Sequence, residues 1–115
     1  MHELSIALAI VDAAVEEAAR HPGARVTQVH LRLGVLSGIA KAALLASYEM
    51  AAERTAVDGS ELVIQEVPVL VRCPVCRDTR PVVSIQEMRC RECGTPTPDI
   101  VAGREMEVVA MEITE

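Results

Sequence analysis

Phenylalanine and tryptophan are absent from this 115-residue sequence, and Tyr48 is its one residue of the Phe, Trp and Tyr class. The core must therefore be built from Ala, Val, Leu, Ile and Met, which pack small volumes. Positive charge is also short. Eleven Lys and Arg stand against 17 Asp and Glu, giving a formal net charge of −6 and a pI near 5.0. Phosphate neutralisation needs a basic face, so the balance argues against a nucleic-acid binder and for proteins or cations as partners. Long apolar runs are missing too: LSIALAIVDAAV is interrupted by Asp12, followed by Glu16 and Glu17, and has no Lys or Arg before it. It reads as neither a signal peptide nor a membrane span. With no export signal the expected compartment is the reducing cytoplasm, where paired cysteines are more often metal ligands than disulfides. No Ser/His/Asp set, phosphate-binding glycine loop or convergent carboxylate pair is present, so no enzyme activity is expected.

The length suits one compact domain, or a small domain carrying a smaller module. From Glu3 to Arg20, Leu4, Leu8, Val11 and Val15 fall at helical spacing, with Asp12, Glu16, Glu17 and Arg20 mostly on another face. His21-Pro22-Gly23 then supplies a C-terminal cation and a breaker pair. RVTQVHLRLG alternates Val29, Leu31 and Leu33 against Gln28, His30 and Arg32, the period of a half-buried strand. Helical spacing returns between Ala40 and Arg54, with Leu44, Leu45 and Tyr48 along one side. After Asp58-Gly59, ELVIQEVPVLVRC reads as a second strand, and GREMEVVAMEITE as a third. The expected fold is α+β: two helices packed on a small three-stranded sheet, with a zinc-ribbon-like module inserted between two of its strands.

All four cysteines lie in CPVCRDTRPVVSIQEMRCRECG, as two C-x-x-C pairs, Cys73 with Cys76 and Cys90 with Cys93, separated by 13 residues. A two-residue spacer lets both sulfurs of a pair approach one ion from a tight turn, and two facing turns complete a tetrahedron. Four thiolates leave no open coordination position, so zinc here would fold the module and hydrolyse nothing. The segment has little apolar mass of its own, which makes metal the expected source of its folding free energy. Arg72, Arg77, Arg80, Arg89 and Arg91 surround it and would offset tetrathiolate charge, or simply form a solvated surface. Iron in a rubredoxin-like site uses similar pairs and would make an electron carrier; a redox dithiol usually needs only one pair. The pattern and compartment favour structural zinc.

The chain opens Met1-His2-Glu3. A bulky second residue should keep Met1 in place with its α-amine free. That amine, the backbone nitrogen of His2 and the His2 imidazole can occupy adjacent corners around one metal, and the Glu3 amide can add a fourth. Planar nitrogen sets suit Ni(II) or Cu(II). The first amides of a helix have no intrahelical carbonyl and are free to deprotonate onto a metal. Alone the motif is weak, since a histidine at position 2 is most often an exposed residue at a loose terminus. His21 has a plainer reading as a helix C-terminal cation, and His30 as a residue on the polar side of a strand.

MHELSIA, LRLGVLSG, ELVIQEVP, the two C-x-x-C pairs and GREMEV occur in this order. Together they closely resemble the HypA/HybF family of hydrogenase nickel-incorporation proteins, essentially end to end. The resemblance implies a metallochaperone with two metal domains, a nickel-binding α+β domain over 1–70 and 100–115 and a zinc domain over 71–99. It places the nickel ligand on His2, completed by the amine of Met1 and the backbone of Glu3, with Ni(II) as transient cargo. The structural Zn(II) ligands fall on Cys73, Cys76, Cys90 and Cys93. Implied partners are a HypB-type nucleotide-hydrolysing GTPase and the large subunit of [NiFe]-hydrogenase; some members also serve urease. Two features depart from the family: the acidic residue common in the loop after the first strand is missing from VLSGIAKAA, and the usual core aromatics are absent. The competing reading is a zinc-ribbon interaction adaptor that delivers no nickel.

Overall fold

The computed structural model describes residues 2–114, with side chains from residue 3 onward. Helix α1, His2–Ala18, carries Glu3 in its first turn, where a negative charge suits the helix dipole. It unwinds through tight turns, His21 N–H to Ala18 O and Ala24 N–H to His21 O, each 3.0 Å, with Gly23 at φ 83°. Its buried stripe is Ala7, Ile10, Val11 and Ala14, whereas Leu4 and Leu8, assigned to the core by periodicity, are 43% and 47% exposed. IALAIVDAAV is apolar nearly all round, so two stripes compete. The stripe containing two alanines faces inward because small side chains admit the closest backbone approach.

Strand β1, Arg25–Gly34, follows, with Val26, Val29, Leu31 and Leu33 buried. A short 3-10 turn, Val35–Ser37, leads toward helix α2, Lys41–Ala52. Leu44, Tyr48 and Ala52 recur every fourth residue on the buried face of α2. This helix packs against α1.

The long strand expected from Glu61 to Cys73 is two strands, β2 (Glu61–Val67) and β3 (Leu70–Cys73). Pro68 stands in the gap, lacking the N–H that a continuous ladder would need. The third expected strand, in GREMEVVAMEITE, is β6 (Met106–Thr114), and two short strands not expected from the sequence precede it, β4 (Asp78–Pro81) and β5 (Ile100–Ala102). One sheet has the order β2-β1-β6 and the other β4-β3-β5. In the second, β3 runs antiparallel to both neighbours, with Cys73 opposite Asp78 and Val71 opposite both Arg80 and Ile100.

The chain divides into two compact units, Met1–Arg32 with Gly38–Gln65 and Glu107–Glu115, and Leu33–Ser37 with Glu66–Met106. In the first, β1 sits centrally and its polar side is tied to β6 by His30 with Glu112 at 2.9 Å and Arg32 with Glu107 at 3.5 Å. Its core includes Tyr48, 2% exposed, whose hydroxyl lies 2.6 Å from Ser60 Oγ. Ser60 Oγ in turn donates to Val57 O at 2.6 Å, so the tyrosine is the donor to the serine. Tyr48→Phe removes that donor while preserving the ring, and should cost about 1 kcal/mol in urea unfolding. The second unit is held by a small cluster, Val69, Val71 and Val82, packed by Leu36, Met88 and Ile100. Among the described residues, no helix is long and apolar enough to cross a membrane.

Candidate metal centre

Cys73 ends β3, and its hairpin partner strand β4 begins at Asp78, so Cys76 falls in the connecting turn. The turn closes with the Arg77 N–H donating to Cys73 O at 2.8 Å, while the Cys76 N–H points to Cys73 Sγ at 3.4 Å. The second pair repeats the device: Cys90 bridges to Val82, and Gly94 N–H donates to Cys90 O at 2.8 Å. In each turn the residue after the second cysteine takes the left-handed conformation, Arg77 at φ 56° and Gly94 at φ 75°. Glycine adopts it freely, whereas arginine does so against a steric cost.

The two turns bring all four Sγ atoms within 4.8 Å of one another. Cys73 Sγ lies 3.5 Å from Cys93 Sγ, and Cys76 Sγ 3.8 Å from Cys90 Sγ. All four cysteines are free, and these separations far exceed the ~2.05 Å of a disulfide. A tetrahedron with metal–sulfur bonds of ~2.3 Å has edges of ~3.8 Å, so the cluster has the size of a zinc tetrathiolate.

Its electrostatics also fit a cation. Cys93 is lowered to about 6 by the side chain and backbone of Thr95, whose Oγ1 lies 3.1 Å from the sulfur. Cys76 is pushed up to about 12, first by its hydrogen bond with Cys93, against the opposing pull of Arg80. Cys73 is lowered chiefly by the Cys76 backbone N–H. One sulfur thus ionises readily and makes ionisation of its neighbour costly; a bound dication would stabilise all four as thiolates. Arg80, whose Nε is buried without a hydrogen-bond partner, is held charged by Cys76.

The sequence anticipated the four cysteines together. Arg80 was one of five arginines expected to offset the thiolate charge, and the structure couples it to Cys76; Thr95 was missed, because its role depends on the fold of the second turn. Of the N-terminal set, Met1 and the His2 side chain lie outside the described residues. Glu3 is described, and its Oε2 accepts the backbone N–H of Ala40 at 3.2 Å. That bond, followed by one from its own backbone N–H, lowers its carboxyl below the usual range. His21 lies 3.3 Å from Glu17, and His30 pairs with Glu112, but among the described residues only the cysteines bring three or more metal-ligating side chains together.

Similarity to known proteins extends over the chain as a whole. The family model described as hydrogenase/urease nickel incorporation, metallochaperone, HypA matches residues 1–113. The hydrogenase maturation factor HypA of Roseiflexus sp. (strain RS-1) is 45% identical over 112 residues, spanning 97% of this chain and 91% of the relative. Its counterpart from Chloroflexus aurantiacus is 46% identical over 112 residues, spanning 97% and 98%. The fold is shared with a solution structure of HypA protein (TM-score 0.69, 24% identity, 99% and 97% of the two chains). It is shared as well with the solution structure of the Ni metallochaperone HypA from Helicobacter pylori (TM-score 0.61, 22% identity, 96% of each). With the helices, sheets and four-cysteine cluster already in place, this end-to-end match makes the chain a member of the HypA family of hydrogenase maturation factors and nickel metallochaperones.

Proposed function

We propose that this protein binds one Ni(II) ion at its N-terminus and delivers it during the maturation of [NiFe]-hydrogenase, with urease as a second client. The whole-chain family match carries the reading. The nickel donors are the α-amine of Met1, the backbone nitrogen and imidazole of His2, and the amide nitrogen of Glu3. They are consecutive in the sequence, and α1 starts at His2, where helix geometry leaves amide nitrogens without carbonyl partners. Cys73, Cys76, Cys90 and Cys93 hold Zn(II), a closed site that supplies folding free energy to the second unit.

Nickel is cargo, so its site must also release it. A nitrogen set presented at a helix end can be replaced ligand by ligand as an acceptor approaches. Protons compete for the imidazole and the metallated amides, so nickel affinity should decline as pH falls. A HypB-type GTPase and the [NiFe]-hydrogenase large subunit are the partners for this transfer, which takes place in the cytoplasm.

His2→Ala, in untagged protein, should weaken nickel binding at least about a hundredfold in calorimetric titration while leaving zinc content and secondary structure unchanged, since it removes the only side-chain nitrogen of the set. Native nickel affinity in this variant would eliminate the N-terminal site. A zinc-ribbon adaptor, by contrast, would be indifferent to nickel and to residues added ahead of Met1.

A further inference from the structure

Helix α2 begins without a cap of its own. Ala40 stands at the N-cap with φ −78° and ψ 116°, makes no side-chain cap bond, and is followed by a first turn with no acidic residue. In a capping box, a carboxylate at the third helical position reaches back to the N-cap N–H. That position here is Ala43. The carboxylate comes from another helix instead: Glu3 Oε2 of α1 accepts the Ala40 N–H at 3.2 Å, across 37 residues of sequence. Both residues belong to the first unit, in which α1 and α2 pack together.

The first turn of a helix is its most easily frayed part, because its amides lack upstream carbonyls. A side chain fastened to a neighbouring element restrains the backbone that carries it. Glu3 is one residue from His2, so its anchor acts on the same turn that carries the proposed nickel donors. We infer that Glu3 is a positioning residue for the N-terminal nickel site: its carboxylate, bound to the Ala40 backbone N–H, holds the first turn of α1 ready for the metal and is not itself a nickel ligand. The inference rests on the nickel reading above and adds to it a physical link from that site to the start of α2. Without the anchor, the turn must be ordered when the metal binds, and affinity drops by the cost of that ordering.

The bond can be cut from either side. Glu3→Ala removes the acceptor, whereas Glu3→Gln keeps an oxygen at the same reach. Ala40→Pro deletes the donor without touching Glu3, and φ −78° already suits proline. In titrations of the untagged full chain with Ni(II), Glu3→Ala and Ala40→Pro should each weaken binding about tenfold. Glu3→Gln should stay within about threefold of native, because a neutral acceptor keeps most of such a bond. The double variant Glu3→Ala with Ala40→Pro should be no weaker than Glu3→Ala alone, since the bond that Ala40→Pro deletes is already lost in Glu3→Ala. The bound-nickel absorption spectrum should be native throughout. A changed spectrum in Glu3→Gln, or a loss as large as that of Glu3→Ala, would make the carboxylate a ligand and overturn the inference. So would native affinity in Glu3→Ala, or in a folded Ala40→Pro; should Ala40→Pro not fold, the Glu3→Ala and Glu3→Gln pair decides. His2→Ala separates the two levels. Nickel binding that survives His2→Ala removes the site itself, whereas a site lost there but untouched by Glu3→Ala removes only the positioning role.

Discussion

Cys90→Ser should leave the second unit without zinc and largely unfolded while the first unit stays folded. Cys90 is 0% exposed, so the substitution places a buried hydroxyl where a thiolate belongs. The resources of the unit are small. Its buried apolar cluster is Val69, Val71 and Val82, supported by Leu36, Met88 and Ile100. Burying a few such side chains contributes roughly 1.5–3 kcal/mol each, against a conformational entropy cost of at least about 1 kcal/mol for every residue ordered. A structural zinc site contributes on the order of 10 kcal/mol, enough to decide whether such a unit folds at all. Amide hydrogen exchange read by NMR is the measure: protection should vanish in β3, β4 and β5 and persist in α1 and α2. A strong chelator should reproduce the pattern in the native protein, and so should acid, since protons compete with the metal for all four sulfurs. Retained protection in a variant shown to be zinc-free would mean that the unit folds without metal.

Gly34→Ala is expected to be the most damaging of the Gly→Ala substitutions. A Cβ at Gly34 would fall on the backbone carbonyl of Gly103 and 2.6 Å from the Arg104 nitrogen. Neither neighbour is a flexible side chain. The end of β1 and the turn after it are fastened to the β5–β6 connection by Gly34 N–H to Glu105 O and Leu36 N–H to Gly103 O, both 2.7 Å. Relief of the clash must therefore separate the two segments and break those bonds. Overpacking commonly costs 1–3 kcal/mol, and the loss of buried backbone bonds adds to it, for a total of at least about 3 kcal/mol. Gly38→Ala is the control. Gly38 has φ +77° with nothing within 4 Å of an added Cβ, so alanine there meets only the left-handed penalty of about 1–2 kcal/mol. Urea midpoints of the two variants compare them directly, and equal losses would contradict the close approach.

These two glycines look alike in the sequence, each ending a strand-like or turn-like stretch. Only the fold distinguishes the one that needs its φ from the one that needs its missing side chain. The same distinction runs through α1. Helical periodicity located the element, but the residues in IALAIVDAAV are too uniformly apolar to mark one face. Leu4 and Leu8 are exposed, while Ala7 and Ala14 are buried, because small side chains admit a closer backbone approach than large ones. For ELVIQEVPVLVRC the alternation was legible but its interruption was not, even though Pro68 was in view. A proline can end a strand or sit at its edge, and the sequence does not choose.

The sequence by itself determined the features written into local spacing: two helical periods, the strand of Arg25–Gly34, and two C-x-x-C turns able to present sulfurs to a common ion. It also carried the ordered segments that mark the HypA family. Tertiary structure alone decided how those turns face each other, with Cys73 Sγ 3.5 Å from Cys93 Sγ and Cys76 Sγ 3.8 Å from Cys90 Sγ. It also decided that Thr95 and Arg80 act on the sulfurs and that Glu3 caps a helix beginning 38 residues later. The physical reason is the kind of group involved. Spacing along the chain records which side chains a single helix or turn can present together. A backbone N–H such as that of Ala40 is common to almost every residue type, so the sequence records nothing of its partner.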